Sequence, residues 1–232
     1  MQHVVATAQP GLRNHWQWRP EWVSDRPCLL WYLTFESQPQ LSRQAEQVHA
    51  CLRDVPTVDV VPLPWLHLTL DDVGFADELT PRQIEEVVGS ARDAVQDWAP
   101  PPLTLGPLAP MDDSVVQRAG PTDELTDLRD RLRAATTTVL GHGTRSALDE
   151  FWPHVTLAYL NDVCAPSTVM DPLLPLAGAR VVVAAPRLTL ASVTRRDRHY
   201  QWTGRAELPL TPPTTESKSD RGVTPGHPMS EG

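Results

Sequence analysis

The chain has 232 residues, of which 41% are hydrophobic, and a formal net charge of −9 at pH 7. This composition is sufficient for a buried core, whereas the acidic balance argues against a broad grip on extended duplex nucleic acid. No apolar run reaches the roughly 20 residues that a membrane span requires, and three scattered cysteines without metal-ligand spacing fit a reducing cytoplasm.

The N-terminal segment, residues 1–27, has no regular periodicity but contains several tryptophans, among them Trp16 and Trp18. Two interpretations are open. The tryptophans either pack over the main body as a hydrophobic lid, which we favour, or form a surface on which a nucleobase stacks. Under the second interpretation, Trp16 and Trp18 are candidate substrate-binding residues.

Residues 28–210 alternate between strand and helix patterns. Capping boxes are predicted at Ser37 and Gln40 before the first helix, and at Thr80 and Gln83 before the second. A polar loop is predicted from Asp71 to Leu79. The predicted strands are residues 28–35, 58–60, 65–70, 103–108, 114–119, 152–157, 181–184, 188–194 and 200–208. The predicted helices are residues 41–54, 81–99 and 122–140. The proline-rich residues 161–180 are predicted to form a loop with a short helix.

The last two predicted strands form a hairpin that turns at residues 196–198, where arginines are concentrated. This turn is either simply solvated, which we favour, or supplies a phosphate contact through Arg196. Residues 211–232 contain almost no apolar side chains and are predicted to form a disordered tail, because they cannot offset the entropy lost on ordering.

Two of the predicted strands carry the same motif, Trp-x-His-x-Thr-Leu, at residues 65–70 and 152–157. Because side chains alternate along a strand, His67 and Thr69 share one face, and so do His154 and Thr156, while aliphatic residues occupy the other face. One such strand is a weak indication of function, but a duplicated one indicates matching positions in two halves. Across a cleft, the two strands would supply two imidazoles and two hydroxyls, a set that can cleave a phosphodiester without a metal.

The two motifs resemble those that define the two-histidine (2H) phosphoesterase superfamily, in particular its 2′-5′ RNA ligase-like branch. Gly74, shortly after the first motif, also fits the family pattern, and the resemblance covers roughly residues 28–210. The chain departs from the family where Asp71 and Asp72 follow the first motif instead of an aromatic residue. It also departs where Ala158 and Tyr159 follow the second motif instead of an arginine.

The resemblance implies an α+β fold that is bilobed with pseudo-two-fold symmetry, with two small antiparallel sheets, helices outside and a central cleft. It implies an enzyme that needs no metal or cofactor and opens 2′,3′-cyclic phosphates of RNA ends or nucleotides to 2′-phosphates, or joins RNA ends by a 2′-5′ bond. His67 and His154 would be the general acid and base, Thr69 and Thr156 would contact the phosphoryl oxygens, and Tyr159 is a candidate substrate contact. We expect a cytoplasmic monomer whose partner is a nucleotide or an RNA end.

Two alternatives remain open. The protein could be a phosphodiesterase acting on another cyclic or 2′-5′-linked nucleotide, or a non-catalytic module that binds nucleotides or RNA ends. The intact His and Thr in both motifs argue against the module, because binding alone needs no acid–base pair. The sequence leaves open which histidine is the base, because the two motifs are pseudo-symmetric.

Overall fold

A computed structural model describes residues 11–17, 22–23, 25–141, 151–184 and 186–210. Within these ranges, strands and helices follow each other in an α+β arrangement. The strands are β1 (Cys28–Thr34), β2 (Val58–Val60), β3 (His67–Phe75), β4 (Leu103–Met111), β5 (Ser114–Gly120), β6 (His154–Leu160), β7 (Val181–Val183), β8 (Arg187–Arg196) and β9 (His199–Leu208). The α-helices are α1 (Pro39–Leu52), α2 (Pro81–Val95), α3 (Thr122–Leu140) and α4 (Pro166–Met170), and short 3₁₀ turns lie at His15–Gln17, Leu63–Trp65, Ala76–Glu78 and Asp171–Leu176.

All the strands pair antiparallel in the order β7-β4-β5-β6-β3-β1-β8-β9, and β2 pairs with the end of β6. One half of the sheet is β3-β1-β8-β9 and the other is β6-β5-β4-β7. The two halves meet where β3 and β6 share a single residue pair, Leu68 opposite Val155, which we call the central bridge. The predicted α+β class with two antiparallel lobes is confirmed, and the two sheets are continuous through this bridge.

The helices α2 and α3 pack on each other, and α3 lies against β3 and β5. Both residues of the central bridge are fully buried, and they belong to the apolar faces that the alternation in the two motifs predicts. Asp71 of β3 accepts a hydrogen bond from Arg133 of α3 at 2.9 Å, which identifies the face of β3 that the helix covers. We call the opposite face of the sheet the open face.

The helix termini follow the local sequence in two cases and depart from the prediction in one. The capping box of Thr80 and Gln83 is confirmed, with both reciprocal bonds present, and α3 ends at Gly141 in the left-handed conformation. The predicted box at Ser37 is wrong: α1 begins at Pro39, and its N-cap Gln38 makes no side-chain capping bond. Proline at the first helical position fixes φ and sets the start of the helix one residue later than the box requires.

The predicted loop from Asp71 to Leu79 is also wrong over most of its length, because β3 continues to Phe75. A buried charge is tolerated in a strand when it is paired. Asp71 meets this condition through Arg133, and Asp72 accepts a bond from the thiol of Cys28 at 3.5 Å. The two acidic residues predict a loop when the sequence is considered alone, but these contacts allow them to lie inside a strand.

The C-terminal hairpin of β8 and β9 is confirmed, and α4 with the following 3₁₀ turn lies in the predicted proline-rich loop. The tail predicted for residues 211–232 lies outside the described residues. In the part of the chain that the structure describes, no helix is long and apolar enough to cross a membrane.

Candidate active site

The four motif residues gather around the central bridge. The antiparallel register there sets His67 of β3 against Thr156 of β6, and Thr69 against His154. Because the bridge residues point towards the helices, the four flanking side chains lie on the open face. Residues directly opposite each other in such a pair have Cβ atoms about 5 Å apart. Each histidine thus lies beside the threonine of the other motif, on adjacent strands.

Both imidazoles are oriented by the backbone in the same way. Nδ1 of His67 donates to the carbonyl oxygen of Trp65 at 2.6 Å, and Nδ1 of His154 donates to that of Trp152 at 2.5 Å. A carbonyl oxygen can only accept a hydrogen bond, so Nδ1 carries the hydrogen in both rings. The lone pair of each neutral ring is therefore on Nε2, the nitrogen available to a reacting group.

The two histidines differ in their electrostatic surroundings. His67 is 7% exposed and stacks on Tyr32 with ring centroids 4.0 Å apart. Burial lowers the pKa of His67 from its usual 6.5 to about 4, the Trp65 carbonyl opposes this effect, and the charge of His154 adds to it. Burial also lowers the pKa of His154, and here the Trp152 carbonyl and, in addition, the carboxylate of Asp113 oppose that shift.

Each motif strand contains one extra residue directly after its threonine. The extra residue is Leu70 on β3 and Leu157 on β6, because the residues on either side of it pair with consecutive residues of β1 and β5. Such a bulge shifts the alternation by one position. Tyr159, which simple alternation assigns to the helix face, therefore lies on the open face, and Asp72 has the corresponding position on β3.

A tyrosine accompanies each threonine. The phenol of Tyr32 interacts with Thr69, and the phenol of Tyr159 interacts with Thr156. Burial raises the pKa of both tyrosines, so their hydroxyls stay protonated at neutral pH. Tyr32 lies in the apolar run of β1, where the sequence contains no signal that distinguishes it from a core residue.

Residues 11–17 of the N-terminal segment cover part of the open face next to Tyr159. His15 bonds to the carboxylate of Asp113 at 3.0 Å through Nδ1 and to the hydroxyl of Tyr200 at 2.8 Å through Nε2. The ring of Trp16 lies 5.3 Å from that of Tyr159. We call His15, Trp16, Tyr159 and Tyr200 the aromatic cluster; it connects the two halves of the sheet beside the histidine pair.

The predicted substrate-binding residues are packed differently from one another. Tyr159 is only 6% exposed, so its ring lies in the interior of the aromatic cluster. Trp16 is half-buried, and its indole nitrogen donates to Asp59 at 3.0 Å. Arg196 donates to Asp25 at 2.7 Å and is about half exposed at the end of the hairpin. Trp18 lies outside the described residues.

Sequence reasoning did not identify Tyr32, Asp113 or His15 as neighbours of the site. Asp113 lies in the turn between β4 and β5, and its proximity to His154 depends on the pairing of β5 with β6. Among the described residues, no group of three or more His, Cys, Asp or Glu side chains is arranged to hold a metal ion.

Comparison with known proteins identifies the family. A statistical model of the 2′-5′ RNA ligase superfamily matches residues 37–195. The chain belongs to this superfamily. The match includes both histidines and agrees with the family that the two His-x-Thr motifs predict. Comparison with curated proteins found no significant match.

Solved structures of similar fold agree with the superfamily assignment. TT0787 of Thermus thermophilus has 18% identity and a TM-score of 0.60, over 80% of this chain and 99% of that chain. Apo LigT of E. coli has 20% identity and a TM-score of 0.55 over the same shares of the two chains. LigT has also been solved with 3′-AMP, with ATP and with NADP+. These likenesses show the fold.

Proposed function

We propose that the protein is a phosphodiesterase that opens the 2′,3′-cyclic phosphate of a nucleotide or an RNA end to a 2′-phosphate, without a metal ion. One observation carries this proposal: His67 and His154 are both oriented through Nδ1, beside two threonine hydroxyls on one face of the central bridge. Membership of the 2′-5′ RNA ligase superfamily supports it. The nucleotides bound to LigT support a nucleotide as the ligand.

The proposed reaction needs two proton transfers on opposite sides of the phosphorus atom. A water molecule gives a proton to Nε2 of one histidine while its oxygen bonds to phosphorus. The bond from phosphorus to the 3′-oxygen breaks, and this oxygen takes a proton from the other histidine. Thr69 and Thr156 donate hydrogen bonds to the non-bridging oxygens, where negative charge grows in the transition state. The same sequence of steps, with an RNA 5′-hydroxyl in place of water, forms a 2′-5′ bond.

The electrostatic difference between the histidines supports a division of roles. The low pKa of His67, about 4, keeps its imidazole neutral, as a base must be. Burial lowers the pKa of His154 as well, but the carboxylate of Asp113 opposes this shift and so favours the protonated form that an acid requires. We therefore assign His67 as the base that activates water and His154 as the acid that protonates the 3′-oxygen.

The test is turnover of adenosine 2′,3′-cyclic phosphate by the full chain in the presence of a strong chelator, with the 2′- and 3′-phosphate products separated. We expect the 2′-phosphate, and we expect His67→Ala and His154→Ala each to lower kcat by at least about 10²-fold, because each removes one proton transfer. Circular dichroism controls for folding. Thr69→Ala should cost less, on the order of 10²-fold or below, because it removes one hydrogen bond to the phosphoryl group.

The outcomes separate the proposed enzyme from the alternatives. Activity that disappears with the chelator and returns with a divalent ion contradicts the metal-independent mechanism. A folded histidine variant with wild-type turnover shows that this histidine is structural. Binding of the cyclic nucleotide without any turnover supports the non-catalytic module.

A further inference from the structure

A cation lies beside His154 on the open face. Arg118 of β5 pairs directly with His154 of β6, so the two side chains lie on the same face of the sheet. The guanidinium carbon of Arg118 lies 4.2 Å from the centroid of the Trp152 indole ring. Arg118 is exposed, and Trp152 is 44% exposed.

Arg118 makes no ion pair and no hydrogen bond with any residue that the structure describes. The arginine on the His67 side of the open face, Arg187, has its charge neutralised by carboxylates. There, Arg187 pairs with Thr34, the β1 residue opposite His67. Its guanidinium contacts Glu36 at 3.2 Å and Glu207 at 3.0 Å. The open face is therefore asymmetric: the described cation next to His154 has its charge available, and the one beyond His67 does not.

Stacking on an indole ring orients a guanidinium without using its N–H groups. The attraction comes from the negative face of the ring, so the donors at the edge of the guanidinium stay free. Such a planar, pre-oriented fork matches the oxygens of a phosphate. In a chain with a net charge of −9, a cation held in this way beside a candidate catalytic residue is suited to a local anionic contact.

We propose that Arg118, held by Trp152, is a subsite for a second phosphate of the substrate, distinct from the phosphate that is cleaved. This inference rests on the proposed function. It names the substrate class: a ribonucleotide end that carries a 5′-phosphate, or an internucleotide phosphate, in addition to its 2′,3′-cyclic phosphate. The backbones of Arg118 and His154 lie about 5 Å apart on neighbouring strands. The arginine side chain is long enough to contact a second phosphate next to the one that His154 acts on.

Two substrates that differ only in the second phosphate test the proposal. They are adenosine 2′,3′-cyclic phosphate and the same compound with a 5′-phosphate. We expect the wild-type kcat/KM to be at least about 10-fold higher for the 5′-phosphorylated compound, as a charge-assisted contact provides. Arg118→Ala should reduce this ratio to about 1, and Arg118→Lys should retain part of it. Arg205→Ala, which removes an exposed cation from β9, should retain the wild-type ratio.

A variant at Trp152 tests how the cation is held. Trp152→Leu removes the indole ring but keeps the carbonyl oxygen that orients His154, so we expect the ratio to fall while the pH profile of kcat stays unchanged. A wild-type ratio near 1, or a ratio that Arg118→Ala leaves unchanged, overturns the subsite.

If neither compound is turned over, the proposed reaction fails and calorimetry still tests the subsite. The Kd of the two compounds should then differ at least about 10-fold in the wild type and be equal in Arg118→Ala. Equal affinities in the wild type overturn the subsite independently of catalysis.

Discussion

The protonation of His67 can be tested through stability, without a substrate. With a pKa of about 4 in the folded protein and 6.5 in the unfolded chain, His67 is neutral in the fold but protonated in the unfolded state between these two values. The unfolded state then binds more protons, so stability falls as the pH falls through this window. Integrated from about pH 7 to about pH 4.5, this linkage lowers the free energy of unfolding by roughly 2 kcal/mol.

The perturbation is His67→Gln, which removes the titrating group while its amide can still donate to the Trp65 carbonyl. Urea denaturation, followed by circular dichroism at both pH values, gives the free energy of unfolding for wild type and variant. We expect the variant to lose roughly 2 kcal/mol less than the wild type on acidification. Thr69→Val, at the same site but without a change in titrating groups, should retain the wild-type pH dependence.

Equal losses in wild type and His67→Gln would refute the reasoning, because they would mean that His67 has the same pKa in both states. The assignment of His67 as a base that is neutral at working pH would then have no electrostatic support. A smaller loss in Thr69→Val as well would trace the effect to the packing of the site instead of to the imidazole.

Two further predictions concern the acid and the backbone. The pH profile of kcat/KM should be bell-shaped with a maximum below pH 6.5. Asp113→Asn should move the alkaline limb of this profile to lower pH, because the carboxylate raises the pKa of His154. An alkaline limb that does not move contradicts the assignment of His154 as the acid. Gly106→Ala should lower Tm by roughly 5 °C or more, because φ is +115° there and the new Cβ would clash with the carbonyl oxygen of Ala179. Gly89→Ala, in an open position on α2, should raise Tm slightly in the same thermal melts, and equal effects of the two substitutions would contradict this explanation.

The sequence predicts the site where local alternation decides the side-chain direction. Around His67 and His154, aliphatic and polar residues alternate over a few positions, and this pattern alone assigns both imidazoles to the open face. Tyr159 is different, because its direction depends on a bulge in the pairing of β6 with β5. A bulge is a property of two strands together, so the sequence of one strand does not contain it.

Charge misleads local prediction where the compensating partner is distant in sequence. Asp71 resembles a loop residue because the residue that neutralises it, Arg133, lies on α3. The N-terminal segment has no periodicity for a related reason. Its described residues are attached by scattered contacts, such as the bridge of Leu12 with Cys164 and the bonds of His15, and scattered contacts leave no repeating pattern.

The orientation of both imidazoles by main-chain carbonyls has a consequence for how this site changes over generations. An orienting carboxylate would disappear with a single codon change, but every amino acid at positions 65 and 152 retains the carbonyl oxygen that His67 and His154 use. The tautomer of each histidine is therefore insensitive to mutational drift at these two positions. The side chains at these two positions can therefore change under selection without altering the orientation of the imidazoles. The two copies of the motif can thus diverge in the residues around the reacting groups while each imidazole keeps the same hydrogen bond.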